Sequence, residues 1–109
     1  LGLDSVPTMI FDEVDSGIGG AVAEVVGKKL RALGAERQVM CVTHLPQVAA
    51  QGHHHFQVSK SLSQGHTHSV VTSLDAKTRV EELARMLGGV EISKETRANA
   101  KQMLQQAQN

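Results

Sequence analysis

Two segments decide the fold of this chain: TMIFDE over residues 8–13 and VMCVTH over residues 39–44. Each is a short apolar run that ends abruptly, the first in two carboxylates and the second in a histidine. Such runs predict a short buried strand from Thr8 to Phe11 and a second strand from Gln38 to Thr43, which is apolar nearly throughout, as expected of a strand covered on both faces. The segment between them has helical periodicity and predicts a helix from about Gly20 to Leu33, ended by Gly34. Its expected apolar stripe consists of Val22, Val25, Val26, Leu30 and Leu33.

A strand, a helix and a strand in this order form a βαβ unit, which places the carboxyl ends of both strands at one edge of a parallel sheet. Open α/β sheets bind ligands at that edge. We therefore expect Asp12, Glu13 and His44 to lie at one site. An aspartate there can hold Mg²⁺, which prefers hard oxygen ligands. A neighbouring glutamate can activate a water, and a histidine can donate to a terminal phosphate.

The same residues also have purely structural interpretations. Asp12 and Glu13 could form a solvated acidic turn, and His44 could be a partly buried histidine that contacts a backbone carbonyl. Asp15 could cap the following helix or lie at a subunit contact, and the residues alone leave both alternatives open. The acidic pair, the glycine-containing loop and His44 at matching spacing together favour a functional site.

The composition narrows the function classes. The chain has 109 residues, with 11 basic and 11 acidic side chains. A formal net charge of zero gives no support to direct binding of a nucleic-acid backbone. The single cysteine, Cys41, lies within the second apolar run and is expected to be a small buried hydrophobe in a reducing cytoplasm. No signal peptide or membrane-spanning run is apparent, and the first residues predict a part of a longer chain.

The remaining sequence predicts a short helix, a hairpin and two further helices. Pro46 opens the short helix, which runs to about Ala50. Phe56–Lys60 and His68–Leu74 are expected to pair around a loop over Ser61–Gly65. A stripe of Val80, Leu83, Ala84 and Leu87 predicts the next helix. Ser93 is expected to cap the last one, whose apolar face contains Ala100, Met103, Leu104 and Ala107, with a frayed tail from Gln105 to Asn109.

IFDEVDSGI over residues 10–18 and VMCVTHLPQVA over residues 39–49 resemble the RecN family of bacterial DNA repair proteins, which are SMC-like ATPases with an ABC-type head. ELARMLGG over residues 82–89 resembles the same family. The resemblance implies an α/β fold, the C-terminal lobe of a P-loop NTPase head, over residues 1–109. That lobe has a parallel βαβ core, a β-hairpin and C-terminal helices.

The resemblance also implies roles for individual residues. Asp12 would be the Mg²⁺ ligand of the Walker B strand, Glu13 the catalytic base and His44 the switch histidine that senses the γ-phosphate. Asp15, in the D-loop, and Gln47 would be nucleotide-site residues. The implied cofactors are ATP and Mg²⁺. The implied partners are the N-terminal half of the same head, a second head in a homodimer, and DNA through the whole protein in the bacterial nucleoid, with no membrane.

The phosphate loop of such a head does not occur in this sequence. It requires G-x-x-x-x-G-K-[ST], whose amides and lysine contact the phosphates. The only Gly-Lys pair is Gly27-Lys28, where Val22 stands in place of the first glycine and Lys29 in place of Ser or Thr. The signature motif and a coiled-coil heptad run are also missing. We therefore expect the chain by itself to bind ATP weakly or not at all.

The histidines at 53–55, 66 and 68 lack a familiar zinc spacing, which favours a polar surface over a structural metal site. A non-catalytic dimerisation or docking module is the main alternative function. An ABC transporter ATPase is another alternative function. The string LPQVA after His44 resembles the RecN family and so argues against the transporter.

Overall fold

The computed structural model describes residues 7–12, 19–88 and 91–109. In these ranges β1 (Thr8–Asp12) pairs in parallel with β2 (Gln38–Val42), and α1 (Gly20–Gly34) connects them. The short helix α2 (Pro46–Ala49) follows β2. A hairpin of β3 (Phe56–Ser63) and β4 (His66–Ser73) leads to α3 (Ala76–Gly88) and α4 (Lys94–Gln108). The predicted α/β fold, with its βαβ unit, hairpin and C-terminal helices, is confirmed.

The parallel sheet is covered on one face only. Met9 and Phe11 in β1 are half-buried, as are Val39 and Cys41 in β2. On the other face Ile10, Met40 and Val42 are 70%, 52% and 56% exposed. The prediction that β2 is buried on both faces is wrong, because α1 packs on one side and no element within the described ranges packs on the other.

Helix α1 packs through its small residues. Ala23 and Gly27 are buried, whereas Val22 and Val25 are more than half exposed. A Cβ at Gly27 would lie 2.9 Å from Cγ of Gln51, so the glycine permits close approach of α2. The expected valine stripe is therefore only partly correct, since its Val22 and Val25 edge faces solvent. Gly34 is the last helical residue and does not follow the helix.

The hairpin is longer than predicted. Its strands pair in register from Phe56 opposite Ser73 to Ser63 opposite His66. Gln64 and Gly65 have φ angles of 52° and 78°, the left-handed pair of a two-residue hairpin turn. Two residues suffice to reverse the chain, so the expected loop over Ser61–Gly65 is wrong. Its first three residues, 61–63, belong to β3.

The core lies between α2, α3 and α4. Leu83 is fully buried and is surrounded by alanines, among them Ala84 and Ala100. Partly buried side chains complete this cluster: Val80, Met86, Leu87, Ile92, Met103 and Leu104. The predicted stripes of the last two helices are confirmed, and the core is aliphatic throughout.

The last helix is anchored at both ends. Ser93 caps its start, since the Ser93 Oγ accepts a hydrogen bond from the Thr96 amide at 3.1 Å. At the other end Ala107 is buried, and Gln108 Nε2 donates to the carbonyls of Ala50 and Gly52, each at 2.9 Å. The predicted frayed tail is wrong, because these tertiary hydrogen bonds and the buried alanine hold the final turn.

Asp75 caps the start of α3 and gives a pH-dependent prediction. Its Oδ1 accepts a hydrogen bond from the Thr78 amide at 2.8 Å, and this bond lowers the pKa of the carboxyl below its usual 3.8. A lowered folded-state pKa stabilises the fold above the unfolded pKa and stops doing so as pH falls through the folded value. Asp75→Ala should therefore lower the Tm at pH 7, and the difference from wild type should shrink towards pH 2 in thermal melts. A constant difference across this range would contradict the charged cap, and Lys101→Ala, at an exposed position of α4, provides the control.

Candidate active site

The carboxyl ends of β1 and β2 meet at one edge of the parallel sheet. Asp12, the last residue of β1, is directly opposite Val42, the last residue of β2. His44 follows two residues later, so it leaves the sheet at the same edge as Asp12. Both side chains are exposed and accessible to a ligand. Glu13 and Asp15 lie outside the described residues, and their predicted roles stay predictions.

The chain turns sharply after β2. The Leu45 amide donates to the Thr43 Oγ1 at 3.0 Å, which stabilises the turn that contains His44. Leu45 is extended and precedes Pro46 at the first position of α2, as predicted from the proline. The histidine is therefore presented between the end of a strand and the start of a helix.

Gln47 lies in α2 with its side chain against the start of α1. A Cβ at Gly20 would lie 3.1 Å from the Gln47 Nε2. The Oε1 atom is buried and has no hydrogen-bond partner among the described residues. An amide in the reversed orientation would direct Oε1 towards the first-turn amides of α1, which lack a side-chain cap. In either orientation Gln47 connects α2 with the helix that follows the acidic loop.

The carbonyls after α2 are contacted by side chains from three helices. Arg31 of α1 donates through Nη1 to the Gln51 carbonyl at 2.7 Å. Arg79 of α3 donates through Nη2 to the carbonyls of Ala49 at 3.1 Å and Ala50 at 3.3 Å, and to that of Gly52. Gln108 of α4 donates to two of the same carbonyls, as described above. The sequence patterns do not predict this cluster. Arg79 is the signal that could have indicated it, because it stands four residues before Leu83 on the apolar stripe, where a cation is unusual.

The electrostatics of this region are dominated by burial. Burial of the Arg79 guanidinium lowers its pKa, and the charge of Arg31 adds to the effect. Burial of His55 lowers the pKa of its imidazole, and the nearby Arg79 charge lowers it further. In the same helix as Arg79, Glu82 is buried and accepts hydrogen bonds from Gln57 Nε2 at 2.8 Å and from Arg85 Nε at 3.0 Å. The hydrogen bond with Glu82 raises the pKa of Arg85.

The remaining histidines do not assemble a metal centre in the described ranges, where no group of three or more His, Cys, Asp or Glu side chains is placed to hold an ion. His66 and His68 share one face of the hairpin with their ring centroids 6.5 Å apart. Among the residues that the structure describes, no helix is long and apolar enough to span a membrane.

Comparison with known proteins identifies the family. DNA repair protein RecN of Xylella fastidiosa strain Temecula1 is 64% identical to this chain over 108 residues, which is 99% of the chain and 19% of that relative. RecN of Vibrio cholerae is 55% identical over 98 residues, covering 90% of the chain and 18% of the relative. RecN of Bacillus subtilis is 42% identical over 102 residues, covering 94% and 18%. The chain belongs to the RecN family. It spans about a fifth of the length of these RecN proteins.

The fold has a counterpart among solved structures. A chain from work on ATP-driven dimerization and DNA-stimulated activation of SMC ATPases superposes with a TM-score of 0.61 and 20% identity, covering 80% of this chain and 52% of the other. This similarity confirms the predicted ABC/SMC-type head fold. No family model matches the sequence.

Proposed function

We propose that this stretch of RecN sequence forms one lobe of an ABC-type ATPase head and supplies its hydrolytic residues, in a protein that repairs DNA double-strand breaks. The observation that carries the proposal is the parallel register of β1 and β2. It sets Asp12 opposite Val42, so that Asp12 and His44 leave the sheet at the same edge. Parallel α/β sheets bind ligands at this edge.

Each residue has a distinct proposed task. Asp12 would hold Mg²⁺, and its exposed carboxylate at a strand end suits an ion that binds through few carboxylates and retained waters. Bound Mg²⁺ supplies positive charge beside the phosphates. Glu13 would orient and deprotonate the attacking water, and His44 would donate a hydrogen bond to the γ-phosphate. Asp15 would couple two sites across a head dimer, and Gln47 would support the nucleotide site from α2.

The proposed head requires further parts. ATP binding needs a phosphate loop, which this sequence does not contain, so the N-terminal half of a head is the first proposed partner. The exposed apolar face of the parallel sheet, formed by Ile10, Met40 and Val42, supports this pairing. A second head in a homodimer and DNA, contacted through the whole protein inside the bacterial cell, complete the proposal.

His44→Ala provides the direct test, in a full-length RecN protein that carries this sequence. A hydrogen bond to a charged group such as a phosphate contributes roughly tenfold or more to affinity, so the preference for Mg²⁺-ATP over Mg²⁺-ADP should fall about tenfold with ADP affinity unchanged. Titration of fluorescent nucleotides measures both constants. The control is His54→Ala, which changes an exposed histidine away from the sheet edge. An unchanged preference for ATP would exclude His44 as the phosphate sensor.

A second candidate function is a docking module without catalysis. The observation that favours it is the extent of exposed apolar surface on both sheets, since Phe56, Leu62 and Val71 of the hairpin are exposed as well. Surfaces of this kind mark interaction sites. The two functions differ in their response to Glu13→Gln, which should not affect a purely docking role.

A further inference from the structure

Residues 44–52, which we call the histidine segment, connect the sheet edge to the cluster of carbonyls described above. The segment contains α2, a helix of four residues. Isolated helices shorter than about 12 residues are marginal in water, and the last carbonyls of any helix need partners from outside it. The position of this segment therefore depends on the side chains that contact it.

Arg79 is the central contact of the histidine segment. It is 7% exposed, and its Nη2 donates to the carbonyls of Ala49, Ala50 and Gly52. Its Nε is buried without a hydrogen-bond partner among the described residues, and burial lowers its pKa. A buried cation that leaves one donor unused is costly for stability. A cation at the carboxyl end of a helix interacts favourably with the carbonyls there, and this interaction offsets the cost of burial.

The other contacts restrict the same end of the segment. Arg31 donates to the Gln51 carbonyl, which lies between two carbonyls that Arg79 contacts. Gln108 donates to the Ala50 and Gly52 carbonyls that Arg79 also contacts. The turn at Gly52 is also tight, since a Cβ there would lie 2.8 Å from the His54 carbonyl oxygen. Side chains from α1, α3 and α4 thus fix one end of the segment, while His44 is exposed at the other end.

We infer that Arg79 is a positioning residue for His44: it fixes the carbonyl end of α2 and thereby sets where the histidine meets a nucleotide. The inference rests on the proposed function of His44. A positioning role for Arg79 also couples the C-terminal helices to the nucleotide site, because a shift of α3 relative to α2 would move the histidine segment. Displacement of a reacting group by about 1 Å can reduce a rate as much as a hundredfold.

Arg79→Lys tests the inference in a full-length RecN protein that carries this sequence. Lysine keeps the charge, but its side chain is shorter than that of arginine, so its ammonium cannot occupy the position of Nη2 among the three carbonyls. We expect the preference for Mg²⁺-ATP over Mg²⁺-ADP to fall about fivefold to tenfold, with ADP affinity unchanged. Arg97→Lys is the control for the same chemical change, since Arg97 of α4 donates to Glu81 of α3 at 2.8 Å and has no hydrogen bond to the segment.

A double-mutant cycle distinguishes positioning from general stability. If Arg79 acts through His44, Arg79→Lys should cause no further loss of ATP preference in the His44→Ala background. An equal loss in both backgrounds, or a parallel loss of ADP affinity, would overturn the inference and leave the proposed role of His44 intact. An unchanged ATP preference in His44→Ala alone would overturn both.

Gln108→Ala keeps the inference testable if Arg79→Lys does not fold. It removes two hydrogen bonds to the same carbonyls from the end of α4, where little else depends on the side chain. A smaller fall in ATP preference, again absent in the His44→Ala background, is expected. A wild-type preference in a folded Gln108→Ala protein, combined with an Arg79→Lys variant that does not fold, would assign the cluster to stability alone.

Discussion

Glu13→Gln, in a full-length RecN protein that carries this sequence, is expected to reduce ATP hydrolysis by about a hundredfold or more while ATP binding is retained. Glutamine can occupy the same space and donate or accept hydrogen bonds, but it cannot take a proton from water. ATP should therefore accumulate in the closed site and hold two heads together. Steady-state phosphate release measures the rate, and light scattering after size-exclusion chromatography with Mg²⁺-ATP measures the dimer.

The matched control is Glu91→Gln, which makes the same chemical change at an exposed position far along the chain from the acidic pair. Hydrolysis at the wild-type rate in Glu13→Gln would refute the assignment of the base. A slow variant that neither retains ATP nor dimerises would instead indicate that Glu13 acts in binding, together with Asp12.

The sheet edge could be predicted from the sequence because the signals that define it are local. An apolar run of four to five residues, a helical period and a second apolar run specify a βαβ unit, and chirality leaves one arrangement for it. Asp12 and His44 then reach the same edge without any knowledge of packing. The cap at Ser93 and the start of the short helix at Pro46 were predictable for the same reason.

Features that depend on distant contacts could not be predicted in this way. Periodicity indicated valines on the inner face of α1, but the close approach of α2 selected Ala23 and Gly27 instead. A polar tail at the end of α4 resembled a frayed terminus, yet Gln108 reaches carbonyls 56 and 58 residues away in sequence. Local propensity carries no information about such partners.

The two-sided burial expected for β2 was wrong for an informative reason. Near-continuous apolar strands are typical of parallel sheets with both faces covered. The apolar pattern predicts a sheet with both faces covered. The residues that the structure describes cover one face and leave Ile10, Met40 and Val42 exposed on the other. The sequence pattern and the exposed surface together support the proposal that this face binds the N-terminal half of a head.

Met40→Glu gives the largest expected effect on assembly. We expect this chain alone to show no ATP hydrolysis, and hydrolysis to appear on mixing with the N-terminal half of a RecN head, which carries a phosphate loop. Burying an unpaired carboxylate in an apolar interface is costly, so Met40→Glu should weaken association by more than about a hundredfold and abolish the activity of the mixture. Analytical ultracentrifugation measures association, and phosphate release measures activity.

Ala32→Glu is the control, because it adds the same charge to an exposed position on α1, away from the open face of the sheet. Equal association of the Met40→Glu and wild-type chains would show that the partner binds elsewhere, with the hairpin face of Phe56 and Leu62 as the next surface to test. A mixture that assembles without hydrolysing ATP would favour the docking function. The proposal assigns assembly to the open face and hydrolysis to the sheet edge, so one pair of variants, Met40→Glu and Glu13→Gln, tests the two surfaces separately.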